Sequence, residues 1–271
     1  MNQRWSHGRT LYRPADEVIN TLEYEVATIA GDAEAKKFVA THHYSGSYPA
    51  ARYRFGLYHK GGLVGVSVFS VPCNEKALTK LFPFSADLSA DLGRFVLLDQ
   101  VPANGESWFL GRCFAALRKV GLAGIISYSD PMPRRSIRGE MVFKGHIGTI
   151  YQAFNGIYVG RSTARTIHLL PDGSVFSPRA IQKIRGQERG WKYAAGILQR
   201  FGADNTDDDP VSWLDRWMPI LTRKVHHPGN HKYAWALNDA ARRTMPPPLP
   251  FPKFDPLFQH HRSQASPFHT S

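Results

Sequence analysis

Hydrophobic and polar positions alternate most clearly in the first quarter of the chain. Tyr53-Arg54-Phe55-Gly56-Leu57-Tyr58 and Leu63-Val64-Gly65-Val66-Ser67-Val68-Phe69 are β-rich runs separated by Lys60-Gly61-Gly62. That spacing predicts a hairpin, because a short glycine-bearing turn matches the twist of the strands it joins. Upstream, Glu17–Tyr24 reads as a strand and Gly31–Thr41 as a helix with Phe38 and Val39 inward. Residues 72–90, broken by Pro72 and Pro83, read as irregular. Leu92–Leu98 is again strand-like, a helix runs from Ser107 to a stop at Gly121, and Ala123–Ser129 is a short strand. A strand–helix–strand unit of this length implies a right-handed crossover between parallel neighbours.

Beyond Asp130-Pro131 the pattern predicts a basic loop at Arg134–Arg138, a helix over residues 148–155, and Arg165–Leu170 as a closing strand. From Ser177 the texture turns helical. Pro178 suits a first helical position, and Gly190–Phe201 reads as a further helix. Asp207–Pro210 reads as a solvated linker, and the Pro-rich end as a flexible tail. The division expected is 1–175 as a catalytic domain, 176–245 as a basic, mainly helical extension and 246–271 as the tail.

Composition narrows the class. With 271 residues, 42% hydrophobic, the chain can bury a full core. Its formal charge is +12, and residues 161–245 hold 14 basic against 8 acidic side chains. Such a field favours polyanionic partners, nucleic acid above all, although net charge is equally compatible with a basic protein that binds none. Cys73 and Cys113 have no metal-type spacing and are too few for a disulfide framework. The start lacks a signal-peptide apolar run and no 18-residue apolar segment follows, so a cytoplasmic protein without a membrane partner is expected.

Four polar constellations fall at the ends of elements, where sites form in open α/β sheets. They are His42-His43-Tyr44-Ser45-Gly46; Arg94 inside an apolar strand; Tyr128-Ser129-Asp130; and Gly145-His146-Ile147-Gly148, followed by Tyr151, Gln152, Asn155 and Tyr158. A histidine can relay a proton near neutral pH and a tyrosine can stack on a base. Glycines before a helix let an anion approach free N–H groups, and helix capping explains them equally well. Phosphate-binding and dinucleotide glycine motifs are absent, as is a paired-cysteine zinc site. His226, His227 and His231 form a histidine group that suits a phosphate-contacting surface better than a metal.

Taken together, Tyr44-Ser45-Gly46, Gly93-Arg94-Phe95-Val96, Asn104 through Phe109, Ser127–Asp130 and Gly145–Asn155 resemble the phage Mu Mom-like family over about residues 40–170. The order hairpin, strand, helix, strand, helix, strand also resembles the GNAT acyltransferase fold. The resemblance implies an α/β fold with a central mixed sheet flanked by helices, to which the sequence adds the basic extension. It implies a transferase that converts adenine in phage DNA to N6-carbamoylmethyladenine, protecting that DNA from host restriction.

Carried over by position, His43, Tyr44, Asp130 and Tyr151 become the catalytic candidates. Ser107, Gly145, His146 and Gly148 face the donor, while Arg94, Arg134, Arg135, Arg138, Lys144, Asn155 and Tyr158 face the substrate. The partner implied is double-stranded DNA with the base flipped out, and the assembly is a monomer or dimer. The donor stays open between acetyl-CoA and another small molecule, as does a metal. Where GNAT enzymes carry an Arg/Gln-x-x-Gly-x-Gly/Ala turn, this chain reads Asn104-Gly105-Glu106-Ser107. Two other readings compete: an acyltransferase acting on a small amine or a protein lysine, and a DNA-binding protein without catalysis.

Overall fold

The computed structural model describes residues 2–6, 9–13, 16–72, 75–84, 86–205 and 209–253. The first elements are β1 (Asn2–Ser6), β2 (Arg9–Arg13), β3 (Tyr24–Thr28), α1 (Asp32–His42), β4 (Ala51–His59) and β5 (Gly62–Ser70). Next come α2 (Lys76–Thr79), β6 (Ser89–Leu97), α3 (Gly105–Lys119), β7 (Gly124–Ser129), β8 (Arg134–Arg135), β9 (Met141–Phe143), α4 (Thr149–Ala153) and β10 (Ile157–Arg161). The chain continues through β11 (Arg165–Leu169), β12 (Val175–Phe176), α5 (Pro178–Arg185), α6 (Trp191–Gln199) and α7 (Pro210–Leu221). It finishes with β13 (Arg223–His227), β14 (His231–Ala236) and α8 (Asp239–Thr244). Two compact units result: residues 1–131, 146–162 and 230–271 form the first, and residues 132–145 and 163–229 the second.

The first unit is built on a seven-stranded sheet of order β10-β14-β7-β6-β5-β4-β3. Only the β6–β7 pair is parallel; the other pairs are antiparallel. This is the expected α/β architecture, with a mixed central sheet flanked by helices. The predicted hairpin is β4–β5, turned by Lys60 (φ 48°) and Gly61 (φ 79°), two successive left-handed residues of the kind a two-residue hairpin requires. Along α3, Phe109, Leu110, Cys113, Phe114 and Leu117 recur at helical spacing, and all are buried against Leu57, Leu92, Ile125 and Trp235. The helix stops where predicted, at Gly121 (φ 89°). On α1, Ala35 and Val39 lie one turn apart and are buried over Val66, Val68 and Val96.

Among its described residues the second unit has a three-stranded sheet, β12-β11-β13, a short β8–β9 hairpin and three helices. Its core joins Phe176, Ile184, Ala195, Leu198, Trp213 and Leu214. Two of its helix starts are capped in sequence-legible ways. Ser177 accepts from the Ala180 N–H ahead of Pro178, and Asp209 accepts from Val211 and Ser212 ahead of Pro210. Asp204 adds a carboxylate that accepts both the Trp213 and Trp217 indole N–H groups, at 2.8 and 2.7 Å.

Several expectations need correction. Glu17–Tyr24 is not a strand; β3 begins at Tyr24, where that reading ended. Arg165–Leu169 is a strand, but it pairs with β12 and β13, not with the central sheet. The central sheet is completed by β14, which lies between β7 and β10. The boundary at residue 175 therefore falls inside the second unit. The basic region is an insertion between β10 and β14, not an extension after a finished domain. The reason is local. A strand buried on both faces, like β14 with His231, Tyr233, Ala234 and Trp235 all buried, carries no clean alternation. Arg134–Arg138 is not a plain loop, since Arg134 and Arg135 pair with Phe143 and Met141. Residues 246–253 form neither helix nor strand, and the Leu249 N–H donates to the Tyr158 carbonyl. The rest of the supposed tail lies outside the described residues, as do Cys73 and the Asp207-Asp208 part of the linker, whereas Asp209 and Pro210 open α7. Among the described residues, no helix is long and apolar enough to cross a membrane.

Candidate active site

The parallel pair β6–β7 is short. Pairing holds for Ser89–Gly124, Ala90–Ile125 and Asp91–Ile126, after which the strands part. At the same point β6 bulges. Val68 faces Arg94 and Phe69 faces Leu92, so Gly93 is an extra residue against β5. A Cβ on Gly93 would stand 2.7 Å from Ser70 Oγ and 3.3 Å from Pro49, so the bulge accepts only glycine without movement of its neighbours. The Ser127 hydroxyl bridges the opening fork to the Leu92 carbonyl at 2.9 Å. A pocket occupies the fork, walled by His43, Tyr44, Gly93, Phe95, Tyr128, His146, Tyr151 and the Gly148–Ile150 turn.

His43 and Tyr44 reach the fork because α1 ends at His43, whose N–H caps the Val39 carbonyl. The turn that follows is fastened by Arg94. Its guanidinium donates to the Ser47 carbonyl at 2.7 Å, to the Ser47 hydroxyl at 2.6 Å and to the Gly93 carbonyl. His43 is buried, and its Nδ1 accepts the Ser45 N–H at 3.2 Å while standing 2.9 Å from the Ser45 hydroxyl. That pairing assigns the proton of the neutral ring to Nε2. Burial, with Arg94 and His146 nearby, holds His43 well below the usual histidine range, so the ring is a neutral donor. Tyr44 Oη lies 3.4 Å from His146 Nε2, and their rings meet edge-on at 5.7 Å.

The opposite wall comes from α4. Gly148 caps it with φ 76°, and a Cβ there would meet Tyr233 at 2.7 Å and Tyr151 at 2.8 Å. The His146 N–H donates to the Asp130 carbonyl at 2.8 Å, which ties this turn to the end of β7. The Tyr151 ring packs 5.5 Å from Tyr233 and 5.7 Å from Trp235. Its hydroxyl faces the Ser127 side chain, which donates to the Leu92 carbonyl. Burial pushes the Tyr151 and Tyr128 hydroxyls up to about 12, so both stay protonated at neutral pH.

One residue beside the pocket wall, at the last pair before the fork, is absent from the sequence-based candidates: Asp91. Its Oδ1 is shut off from solvent and accepts no hydrogen bond among the described residues. Desolvation raises its carboxyl to about 7, against the opposing pull of Arg94 and of Lys232 on β14. The signal is present as Asp91-Leu92-Gly93-Arg94, an acid and a base three residues apart in an apolar strand. Asp91 escapes the sequence reading because it adjoins the irregular residues 72–90, and the apolar run that marks the strand begins only at Leu92. Tyr128 figures in that reading only as part of a strand end, and Lys232 not at all.

The remaining candidates lie elsewhere. Tyr158 is buried, its hydroxyl 3.0 Å from His231 Nδ1, and Asn155 is exposed in the left-handed turn (φ 54°) after α4. These two do not share a helical face with Tyr151, because the helix ends at Ala153. Arg134 is buried with its guanidinium 4.1 Å from the Phe143 ring centre, and Arg135 donates to the Gly139 carbonyl at 2.7 Å. Arg138 and Lys144 are exposed. Gly145 (φ 73°) closes the first segment of the second unit. The histidine group is divided. His227 Nδ1 accepts the Gly229 N–H, and among the described residues no group of three or more His, Cys, Asp or Glu side chains is placed to hold a metal.

The resemblance of the sequence to GNAT enzymes implies a coenzyme A thioester whose pyrophosphate rests on the turn before α3. The residues there do not fit it. The Glu17 carboxylate accepts the Ala103 N–H at 3.0 Å, Asn104 Oδ1 accepts the Ile19 N–H at 2.7 Å, and Glu106 is buried in the first turn. Two carboxylates of the chain already answer the positive end of this helix, where a pyrophosphate would meet like charge. Ser107, in the same first turn, is not part of the pocket wall.

Comparison with known proteins gives a family match and distant likenesses to solved structures. The model of the Mom protein family matches residues 23–207. No curated protein matches. An N-acetyltransferase from Staphylococcus aureus Mu50 aligns over 69% of this chain and 68% of its own, at 10% identity and a TM-score of 0.30. A tandem GNAT protein from the clavulanic acid biosynthesis pathway aligns over 80% and 99%, at 8% identity and a TM-score of 0.42.

Proposed function

The chain belongs to the Mom protein family, a family of phage DNA-modification proteins, and from that premise we propose that it transfers a carbamoylmethyl group to N6 of adenine in DNA. The product, N6-carbamoylmethyladenine, shields the DNA from restriction. The observation that carries the reading is the wall of the fork pocket. His43, Tyr44, Phe95, Tyr128, His146 and Tyr151 present six rings around one opening. A flat heteroaromatic base taken out of the duplex is the ligand such a wall suits. Tyr44 and His146 pack against the flipped base, and the neutral His43 offers its Nε2–H to a ring nitrogen. The Gly93 bulge brings β6 main chain to the reacting atoms without a side chain in the way.

Adenine N6 is a weak nucleophile because its lone pair is delocalised into the ring. Catalysis here therefore rests on orientation and on a place for the proton. The misfit at the start of α3 favours a small electrophile other than a coenzyme A thioester, and disfavours an ordinary amine acetyltransferase. Exposed cations of the second unit, Arg189, Lys192, Arg223 and Lys224 among them, supply phosphate contacts. The test is nucleoside mass spectrometry of DNA from cells expressing the chain. A modified deoxyadenosine heavier by one carbamoylmethyl group is expected, and unmodified deoxyadenosine alone, with soluble protein present, removes the proposal.

A further inference from the structure

Three polar groups of the fork-pocket wall are poorly suited to receive a proton at neutral pH. The His43 acceptor nitrogen is occupied by the Ser45 N–H, and Tyr128 and Tyr151 are protonated phenols. Asp91 stands at the last paired position before β6 and β7 separate. It carries a desolvated oxygen without a hydrogen-bond donor among the described residues. Its charge is felt by Tyr128 from β7 and Tyr151 from α4, both in the pocket wall, and by Arg94 on its own strand and Lys232 from β14. The Lys232 ammonium is in turn held by the Ala77 carbonyl at 2.7 Å and faces the charge of Lys80. A buried carboxylate with one idle oxygen is costly to keep unless it has a use.

We propose that Asp91 is the proton sink of the transfer, taking the proton that leaves adenine N6 by way of the fork. This rests on the adenine-modification reading. The N6 lone pair forms the new N–C bond to the methylene carbon of an activated carbamoylmethyl donor. The bond from that carbon to its leaving group breaks with the electron pair departing on the leaving group. The N6 proton ends on the Asp91 carboxylate, whose acidity near neutral pH matches the task. Arg94 and Lys232 keep enough of Asp91 ionised to accept it.

The test uses the full-length protein, duplex DNA and the low-molecular-weight fraction of a bacterial lysate as donor source, with modified adenine counted by mass spectrometry from pH 5.5 to 8.5. The wild-type rate should fall below an acid limb centred near pH 7. Asp91→Asn should lower the rate about 100-fold and remove that limb while DNA binding is retained. Lys232→Met withdraws a cation that favours the carboxylate, so it should move the limb to higher pH, a change that a purely structural Asp91 would not produce. This second variant decides the matter where Asp91→Asn does not fold. Modified adenine within threefold of wild type in Asp91→Asn, or an unmoved limb in Lys232→Met, overturns the assignment. Wild-type protein that leaves adenine unmodified overturns instead the reading on which it rests.

Discussion

The two compact units handle charge in opposite ways. In the first, the ionisable groups that matter are withdrawn from water. His43, Asp91, Tyr128, Tyr151 and Tyr233 all have acidities displaced chiefly by desolvation. In the second, most arginines and lysines stand on the surface, the buried Arg134 apart, and several are matched to carboxylates there, as in Arg179–Glu188, Arg185–Asp215 and Arg216–Asp204. Surface pairs of this kind contribute little to stability because solvent screens them. Chemistry that moves a proton needs the first arrangement, where a small displacement of a neighbour changes an acidity. Attraction of a polyanion needs the second, where charge is cheap to hold and is felt at a distance.

The sharpest way to break this division is to strike one unit and read both properties. His43→Ala and Tyr151→Phe alter the pocket of the first unit. Each should reduce adenine modification by roughly 100-fold, with DNA affinity within about threefold of wild type in a filter-binding or anisotropy titration. A parallel loss of affinity would show that the pocket side chains also carry DNA binding. The converse change neutralises Arg189, Lys192, Arg223 and Lys224 to glutamine in the second unit. The dependence of log K on log salt should then flatten by about 0.9 for each phosphate no longer neutralised, and the rate at saturating DNA should stay near wild type. An unchanged salt slope would remove the second unit from DNA recognition.

The smallest effect expected is on stability. Burial depresses His231 to about 4 and holds His43 below its ordinary range. A histidine lowered in the folded state contributes stability that is present above its unfolded value near 6.5 and is lost as pH falls toward the folded value. Thermal melts should thus decline between about pH 6.5 and 4, and His231→Asn should flatten that decline. A decline of equal size in the variant would place its origin in other groups.

Much of this molecule was legible before its structure. The hairpin turn, the α3 helix with its glycine stop, and the Ser177-Pro178 start are local decisions, written in a few adjacent residues. His43, Tyr44, His146, Gly148 and Tyr151 stand out as members of short polar motifs, and the fold brings them to one opening. What escaped depends on partners distant in sequence. Whether Arg165–Leu169 or His231–Ala236 completes the central sheet is not encoded in either segment alone, because both are acceptable strands. Asp91 gained its character from a divergence of two strands that no local pattern announces. The basic motif at Arg134-Arg135 misled for a related reason. Charge in a sequence says nothing of whether a guanidinium faces solvent or lies on a ring such as Phe143.

The position of β14 sets the order in which the protein can be completed. β7 and β10 have been synthesised by residue 161, yet they become second neighbours only when residues 231–236 pair between them. A ribosome must therefore finish the whole inserted unit while the larger sheet waits with two unpaired margins. Such margins are templates for association with other chains. Truncation at any point before residue 231 would freeze that waiting state, so a shortened chain should aggregate even if each remaining segment were sound. Excising residues 163–229 and joining the ends with a short linker preserves the closing strand, and it is the cut that keeps the sheet whole.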